Sequence, residues 1–472
     1  MLAAIVLALV FSTCRVPAAA PPPRYGLKPD EAAFLDTLEE RTFRYFWKLG
    51  DIDRGLVPDR WPTPSFCSVA AVGFGLTAYP IGVERHYIFR WQAMRRVKNT
   101  LRYLWTAKQG PDPSGTIGYK GFYYHFLDAK TGTRFEKVEL STQDTALLLA
   151  GVLFCQSYFN RMEADEIEIR ALADSIYRRV DWNWAQTRPP LVSHGWNPEE
   201  GFLPYDWRGL NETMILHILA LGSPTHPVTR QTYQAWSASC QWGKYYGQEH
   251  FGFPPLFGHQ YTHVWIDLAG IQDSTVKAHG IDWFENSRRA TLAQYEYAKD
   301  NPMRWRGYGP HMWGLTACDG PLDAKLTIDG HEREFHTYAA RGASFTHVVD
   351  DGTVAPTAAG GSIPFAPEIT IPTLMAMRAN YGDHLFGKYG FVDAFNRSLD
   401  VTANVTAGTV VRDVGWFDTD YLGIDQGPIL AMAENFRTGL VWETMRRNPY
   451  IVKGLREAGF TGGWLDRLGA QK

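Results

Sequence analysis

Cysteine is scarce in this sequence. Five occur among 472 residues, and no two stand in a CxxC pair. That absence removes the zinc ribbon and the small disulfide scaffold from consideration. Cys67, Cys155, Cys240 and Cys318 lie far apart and are expected as buried free thiols, with one disulfide as the alternative in an oxidising compartment. Charge of one sign is lacking too. The net charge is -3 and charged residues make up 21%, so no polyanion is implied and nucleic acid is not an expected partner. Beyond the first residues no apolar run reaches about eighteen, so no membrane span is expected. There is no GxSxG elbow. Gly73-Phe74-Gly75 and Gly360-Gly361-Ser362 lack the Lys or strand context of a phosphate loop. His259 and His263 stand four apart without the Glu of a zincin helix. Neither a metal nor a cofactor is expected.

Aromatic residues are plentiful: 17 Trp, 23 Tyr and 26 Phe make up 14% of the chain. Some of that excess fills a core. The rest suits a groove whose flat rings face the apolar faces of sugars. At the N-terminus, Leu2 to Phe11 is apolar, Ala18-Ala19-Ala20 offers small residues for cleavage, and Pro21-Pro22-Pro23 follows. Residues 1–20 therefore read as a signal peptide, 21–29 as a linker-like lead and 30–472 as one catalytic domain. Export is expected, to the periplasm first, with secretion or lipid anchoring at Cys14 as alternatives. A monomer is expected.

Helical periodicity dominates. It marks Asp30 to Leu49, Glu84 to Ala107, Ser141 to Asn160, Ala164 to Val180, Asn211 to Leu221, Thr229 to Ser239, Glu285 to Lys299, Pro367 to Tyr381, Gln426 to Arg446 and Pro449 to Ala458. Strand signals are sparse. Lys325 to Phe335 reads as a hairpin over Asp329-Gly330, and Val401 to Val411 as irregular or extended. Segments such as Ser141 to Asn160 are apolar nearly all round, as the inner helices of a two-ringed toroid must be. The expected fold is all-α, an (α/α)6 toroid whose long loops form an active-site cleft.

Cleaving a glycosidic bond takes two carboxyl groups: one protonates the leaving oxygen, and the other activates water or attacks carbon. The acid needs a partly desolvated setting to keep its proton. Glu212 is the leading candidate, at the mouth of an apolar helix with few charges downstream; the competing reading is a Glu stabilised by the helix dipole. Glu139 and Asp144 precede the helix at Ser141, where Asp144 could simply cap it with Ser141 or Thr142. Asp425 heads another apolar helix and carries the same capping alternative. Asp350 and Asp351 read as turn residues or as supports for the site.

Longer blocks carry a family resemblance. Ser68-Val69-Ala70-Ala71-Val72-Gly73-Phe74-Gly75-Leu76, Gly121-Phe122-Tyr123-Tyr124-His125-Phe126, Glu139-Leu140-Ser141-Thr142, Gly195-Trp196-Asn197-Pro198, Leu256-Phe257-Gly258-His259-Gln260-Tyr261, Glu285-Asn286-Ser287-Arg288, Trp313-Gly314-Leu315-Thr316, Ala358 to Phe365 and Gly423 to Pro428 together resemble the glucoamylase-like family of bacterial endo-β-1,2-glucanases, glycoside hydrolase family 144. The resemblance implies an (α/α)6 barrel, no obligatory metal, and inverting hydrolysis of β-1,2-glucan to sophorose and short oligosaccharides. It implies Glu212 as the acid and places base candidates in the region of Glu139 to Asp144, without singling one out. Leu210 stands where an aromatic Tyr is expected, and Thr213 replaces a small residue. The candidate sugar contacts in and around these blocks are Trp196, Asn211, His259, Gln260, Trp265, Glu285, Arg288, Tyr308, Trp313, Tyr421 and Gln426. A non-catalytic glycan-binding protein, a transglycosylase and an exo-acting enzyme on the same scaffold are the alternatives.

Overall fold

A computed structural model of the chain describes residues 25–400 and 404–468. The expected signal peptide and Cys14 lie outside these residues. The early helices alternate in kind. α1 (Pro29–Leu49), α3 (Arg90–Thr106) and α5 (Ala164–Arg178) each bury one stripe and leave the opposite face to solvent. α2 (Val69–Glu84), α4 (Thr142–Tyr158) and α6 (Met214–Gly222) are buried nearly all round. The chain continues through α7 (Arg230–Ser237), α8 (Tyr261–Trp265), α9 (Ser274–Lys277), α10 (Trp283–Asp300), α11 (Pro356–Gly360), α12 (Pro367–Tyr381), α13 (Gly423–Arg437), α14 (Leu440–Met445), α15 (Pro449–Ala458) and α16 (Gly463–Arg467).

The buried helices touch one another in a ring: α2 packs on α4, α4 on α6, α6 on α8, α8 on α13, and α13 on α2. The amphipathic helices cover this ring from outside, with α1 on α13 and α15 on α6. The tightest approach is between α2 and α4, at two glycines. A Cβ on Gly151 would overlap the Gly73 carbonyl, and one on Gly73 would overlap the backbone of Leu147. Backbone contact leaves no side chain to move aside, so Gly151→Ala should destabilise the protein by about 3 kcal/mol, the upper end of ordinary overpacking. Urea denaturation checks this; a loss below about 0.5 kcal/mol would mean the two helices can part freely.

Several expectations need correction. Helical periodicity does not announce α2, which carries Gly73, Gly75, Gly82 and an internal Pro80. The single helix expected over Glu84 to Ala107 is instead the end of α2 and all of α3, separated by a turn in which His86 takes a positive φ of 60°. The helix expected over Gln426 to Arg446 breaks at Gly439, φ 73°, into α13 and α14.

The fold is also not strand-free. Short strands build a five-stranded sheet from Gly118–Tyr119, Phe122–Tyr124, Leu140–Ser141, Gly195–Asn197 and Gly201–Phe202. A four-stranded sheet joins Thr353–Val354, Phe395–Asn396, Gly415–Phe417 and Thr409–Val411. The hairpin Ala324–Ile328 with His331–Phe335 forms as expected. Asp329 and Gly330 turn it at φ 53° and 75°, the positive pair that suits the strand twist. Cys67, Cys155, Cys240 and Cys318 are free thiols. Among the described residues no helix is long and apolar enough to cross a membrane.

Candidate active site

The N-termini of the buried helices gather at one end. Three follow directly from a strand: α2 from Cys67–Ser68, α4 from Leu140–Ser141 and α13 from Tyr421–Leu422. Strand pairing ties these entries to other loops, Cys67–Ser68 to Phe126–Leu127 and Tyr421–Leu422 to Arg60–Trp61. Acidic residues at such positions face exposed backbone N–H groups, which favour negative charge.

Glu212 stands two residues before α6. Gln143, in the first turn of α4, donates to the Glu212 carbonyl at 3.0 Å, which fixes this backbone beside Asp144. The Glu212 side chain is half-buried, and among the described residues no other side chain hydrogen-bonds its carboxyl. Burial raises its pKa; its own backbone N–H works against that, and the nearby Asp144 charge adds to it. The result is a carboxyl pushed up to about 7, which suits a group that must hold a proton near neutrality and then release it.

Asp144 takes the capping role. Its N–H donates to the Ser141 hydroxyl oxygen at 3.1 Å, and that hydroxyl donates to Asp144 Oδ2 at 2.5 Å. The cap is therefore real, yet Asp144 Oδ1 faces away from it, 3.5 Å from His125 Nε2. The other ring nitrogen of His125 lies 2.8 Å from Glu139 Oε1. Burial opposes charge on this imidazole, but Asp144 and then Glu139 outweigh it and lift its pKa to about 9. Burial likewise opposes ionisation of Glu139, and the His125 hydrogen bond and charge reverse that, holding its pKa below the usual carboxylate range.

Asp425 belongs to a second acidic group. It sits in the first turn of α13, and Asp393, Asp418 and Asp319 lie close by. Asp319 N–H donates to Asp393 Oδ2 at 2.7 Å, and Arg60 donates to Asp319 at 2.5 Å and to Asp59 at 3.2 Å. One guanidinium thus serves several buried carboxyls. Burial pushes Asp425 up to about 7 and Asp418 up to about 8, and it holds Asp393 well above its usual value. Carboxyl oxygens of Asp319, Asp393 and Asp418 lie within 4.8 Å of one another, a spacing a hard cation could use. The two acidic groups meet at Tyr261, whose hydroxyl feels Asp425, Glu212 and Asp144 together.

Aromatic side chains flank both groups. Trp207 donates from Nε1 to Thr142 Oγ1 at 2.9 Å and stacks on His194 at 3.6 Å. Trp196 packs among Tyr119 and Trp184 with part of its surface open. Trp61, Tyr389 and Tyr421 form a cluster on the Asp425 side. Tyr338, feeling Asp425 through space, is largely exposed.

Two of the expected sugar contacts need correction. Trp265 and Trp313 have no exposed surface. Their indole N–H groups donate inward, to Thr77 Oγ1 and Thr373 Oγ1 at 2.8 Å each, so they are core and offer a sugar no face. His259 is buried, bonded to the Phe253 carbonyl at 3.0 Å, with its pKa lowered by burial to about 3. Gln260 is spent on Ala358 and Ser362. Asn211 folds its Oδ1 onto Thr213. Glu285 pairs with Arg289 on α10, and Arg288 holds the Phe365 carbonyl and Glu368. Tyr308 donates to Asp350 at 2.7 Å. Gln426 donates to the Phe391 carbonyl, which leaves its Oε1 buried without a partner. Of the expected set, Glu212, Glu139 and Asp144 come together, and Asp425 stands with carboxylates that sequence reasoning did not single out. His125, Arg60, Asp319, Asp393 and Asp418 were also missed; each comes from a loop or short strand whose local pattern carries no chemical sign.

The Glycoamylase family model matches residues 204–449, the stretch from just before Glu212 to the start of α15. The chain belongs to this glucoamylase family. Relatives of this chain include the exo β-1,2-glucooligosaccharide sophorohydrolase of Parabacteroides distasonis, 27% identical over 458 residues that cover 90% of this chain and 57% of that protein. The chain therefore spans little more than half the length of that relative. The endo-β-1,2-glucanase of Chitinophaga pinensis, solved with sophorotriose and glucose, superposes with a TM-score of 0.77 at 27% identity, over 93% of this chain and all of that one. A β-1,2-glucanase structure from Parabacteroides distasonis gives 0.77 at 26% identity, over 92% of this chain and 60% of that one. The endo-β-1,2-glucanase of Talaromyces funiculosus, at 12% identity and 0.58, shares the fold.

Proposed function

We propose that this Glycoamylase-family protein is an inverting glycoside hydrolase acting on β-1,2-glucan or its oligosaccharides, with sophorose and short oligosaccharides as products. The observation that carries this reading is Glu212, a half-buried carboxyl pushed up to about 7 beside Asp144, in a site where Glu139 is held below the usual carboxylate range. Glu212 protonates the glycosidic oxygen. A base among Glu139, Asp144 and Asp425 draws a proton from water attacking the opposite face of the sugar, as inversion requires. The names of the solved and curated relatives support the β-1,2 linkage. The ring of buried helices and its outer cover support an (α/α)6 toroid as the frame, and the apolar N-terminal run followed by three alanines supports export.

The test is direct. Pure protein incubated with linear β-1,2-glucan should release new reducing ends whose first-formed anomer, read by proton NMR, is α. A β first product would replace inversion with a retaining mechanism, and the absence of new reducing ends would leave a glycan-binding protein. A ladder of sizes marks internal cleavage, and sophorose alone from the outset marks cleavage from the chain end.

A further inference from the structure

His125 has no place in the two-carboxyl scheme above, yet among the described residues it is the basic side chain set between two of the candidate bases. We propose that His125 is a positioning residue whose imidazolium bridges Glu139 and Asp144, holds both carboxylates in place beside Glu212, and so makes this pair rather than Asp425 the source of the catalytic base. The inference rests on the hydrolase reading and deepens it.

The geometry leads. Each ring nitrogen faces a carboxylate oxygen, Nδ1 at 2.8 Å from Glu139 and Nε2 at 3.5 Å from Asp144. A neutral imidazole has one donor and one acceptor, so one carboxylate would face a lone pair; the imidazolium hydrogen-bonds Glu139 and sets its charge against Asp144 at ion-pair distance. The ring is not free to turn away. Its backbone N–H donates to the Glu139 carbonyl at 3.0 Å, its carbonyl accepts from Val69 N–H at 3.2 Å, and its face stacks on Phe126 at 3.9 Å. The remaining partners reinforce the charges. Asp144 accepts from Ser141 in the first turn of α4, where the helix favours an anion. Glu139 also feels Arg134, and His125 feels Asp59. Beyond Asp144 the titratable groups that feel it are Glu212 and Tyr261.

The contrast with Asp425 is in the partners. Asp425 and Asp393 are buried against each other, so that one keeps a proton to bond the other, and the cation at that end, Arg60, is committed to Asp319 and Asp59. The cation that Asp425 feels, Arg60, is thus shared with two other carboxyls, whereas His125 lies directly against Glu139 and Asp144. The arrangement then divides the roles by position: the Glu212 carboxyl is pushed toward keeping its proton, and Glu139, bonded to His125, toward giving its proton up.

The experiment compares the full-length wild type with His125→Gln and His125→Arg on β-1,2-glucan across pH. The acid limb of kcat/KM reports the base. In His125→Gln it should rise by about one pH unit or more, with kcat at neutral pH down roughly 10- to 100-fold and KM nearly unchanged. His125→Arg, which restores a cation, should return the limb toward wild type. An unshifted limb in His125→Gln, or equal losses in both variants without a shift, would overturn the proposal. Should neither variant fold, nitrogen-15 NMR of the wild-type imidazole decides: both ring nitrogens should remain protonated at pH 7.5, and a neutral ring there overturns it. A wild type that forms no new reducing ends from β-1,2-glucan, with His125 still doubly protonated, would sink the hydrolase reading while leaving the charge assignment standing.

Discussion

Glu212→Gln is expected to lower kcat on β-1,2-glucan by about 10²- to 10⁴-fold, the usual contribution of a general acid. The amide keeps the shape and hydrogen-bonding reach of the side chain but has no proton to give. Three readouts separate this from simple damage. Binding should be little changed, because no other side chain holds the Glu212 carboxyl among the described residues and its removal frees no partner. The alkaline limb of the wild-type profile should fall near pH 7, where Glu212 loses its proton, and should vanish in the variant. A β-glycosyl fluoride, whose leaving group needs little protonation, should lose far less rate than the glucan. Stability adds a fourth check. The folded-state pKa of Glu212 lies above its unfolded value, so its contribution is fully present at low pH and is lost as pH rises through about 7. The amide carries no such penalty, so above pH 7 the variant should melt no lower than the wild type. Activity near wild type on the glucan would remove Glu212 from the mechanism.

What the sequence makes legible follows from how far apart the cooperating residues lie. α12 and α15 begin and end at the expected residues, Pro367 to Tyr381 and Pro449 to Ala458. Each opens on a proline whose missing N–H is not needed there, and α15 has a strongly one-sided apolar face. α2 escaped notice for the opposite reason. Its glycines lower helix propensity, and the gain they provide, backbone-close packing against Leu147, Leu148 and Gly151, appears only once α4 is in place. The strands escaped because most are two or three residues long, too short to show alternation.

The same logic governs the site. Sequence points to Glu212 because a lone acid before an apolar run is visible within ten residues of chain. The second acidic group is assembled from Asp319, Asp393, Asp418 and Asp425, which share no local pattern. Trp265 and Trp313 were misread because an indole looks alike in a core and in a cleft. Only their neighbours, Thr77 and Thr373, tell which it is.

The largest loss of stability should come from Arg341, a residue that touches no candidate catalytic group. It is fully buried and forms a two-pronged pair with Asp351, Nε to Oδ1 and Nη2 to Oδ2 at 2.7 Å each. Its remaining N–H groups donate to the carbonyls of Cys318 at 2.6 Å and His336 at 3.0 Å. The pair thereby holds in place the strand Ala317–Asp319, whose last residue carries the carboxylate that receives Arg60. Burial opposes the charge on Asp351, and Arg341 more than compensates, holding the pKa below the usual carboxylate range. Arg341→Met removes the cation and leaves an anion in the core with no counter-charge. That should cost about 3 to 5 kcal/mol by urea denaturation at pH 7. Asp351→Asn in the same chain should recover part of the loss, because two neutral groups cost less than one stranded charge. The sign with pH is fixed as well. A depressed folded-state pKa stabilises above the unfolded value and fades as pH falls, so the gap between wild type and Arg341→Met should narrow on acidification as Asp351 takes up a proton. A gap that is small at pH 7, or one that widens toward acid, would show that this buried pair does not hold the acidic end of the site in place.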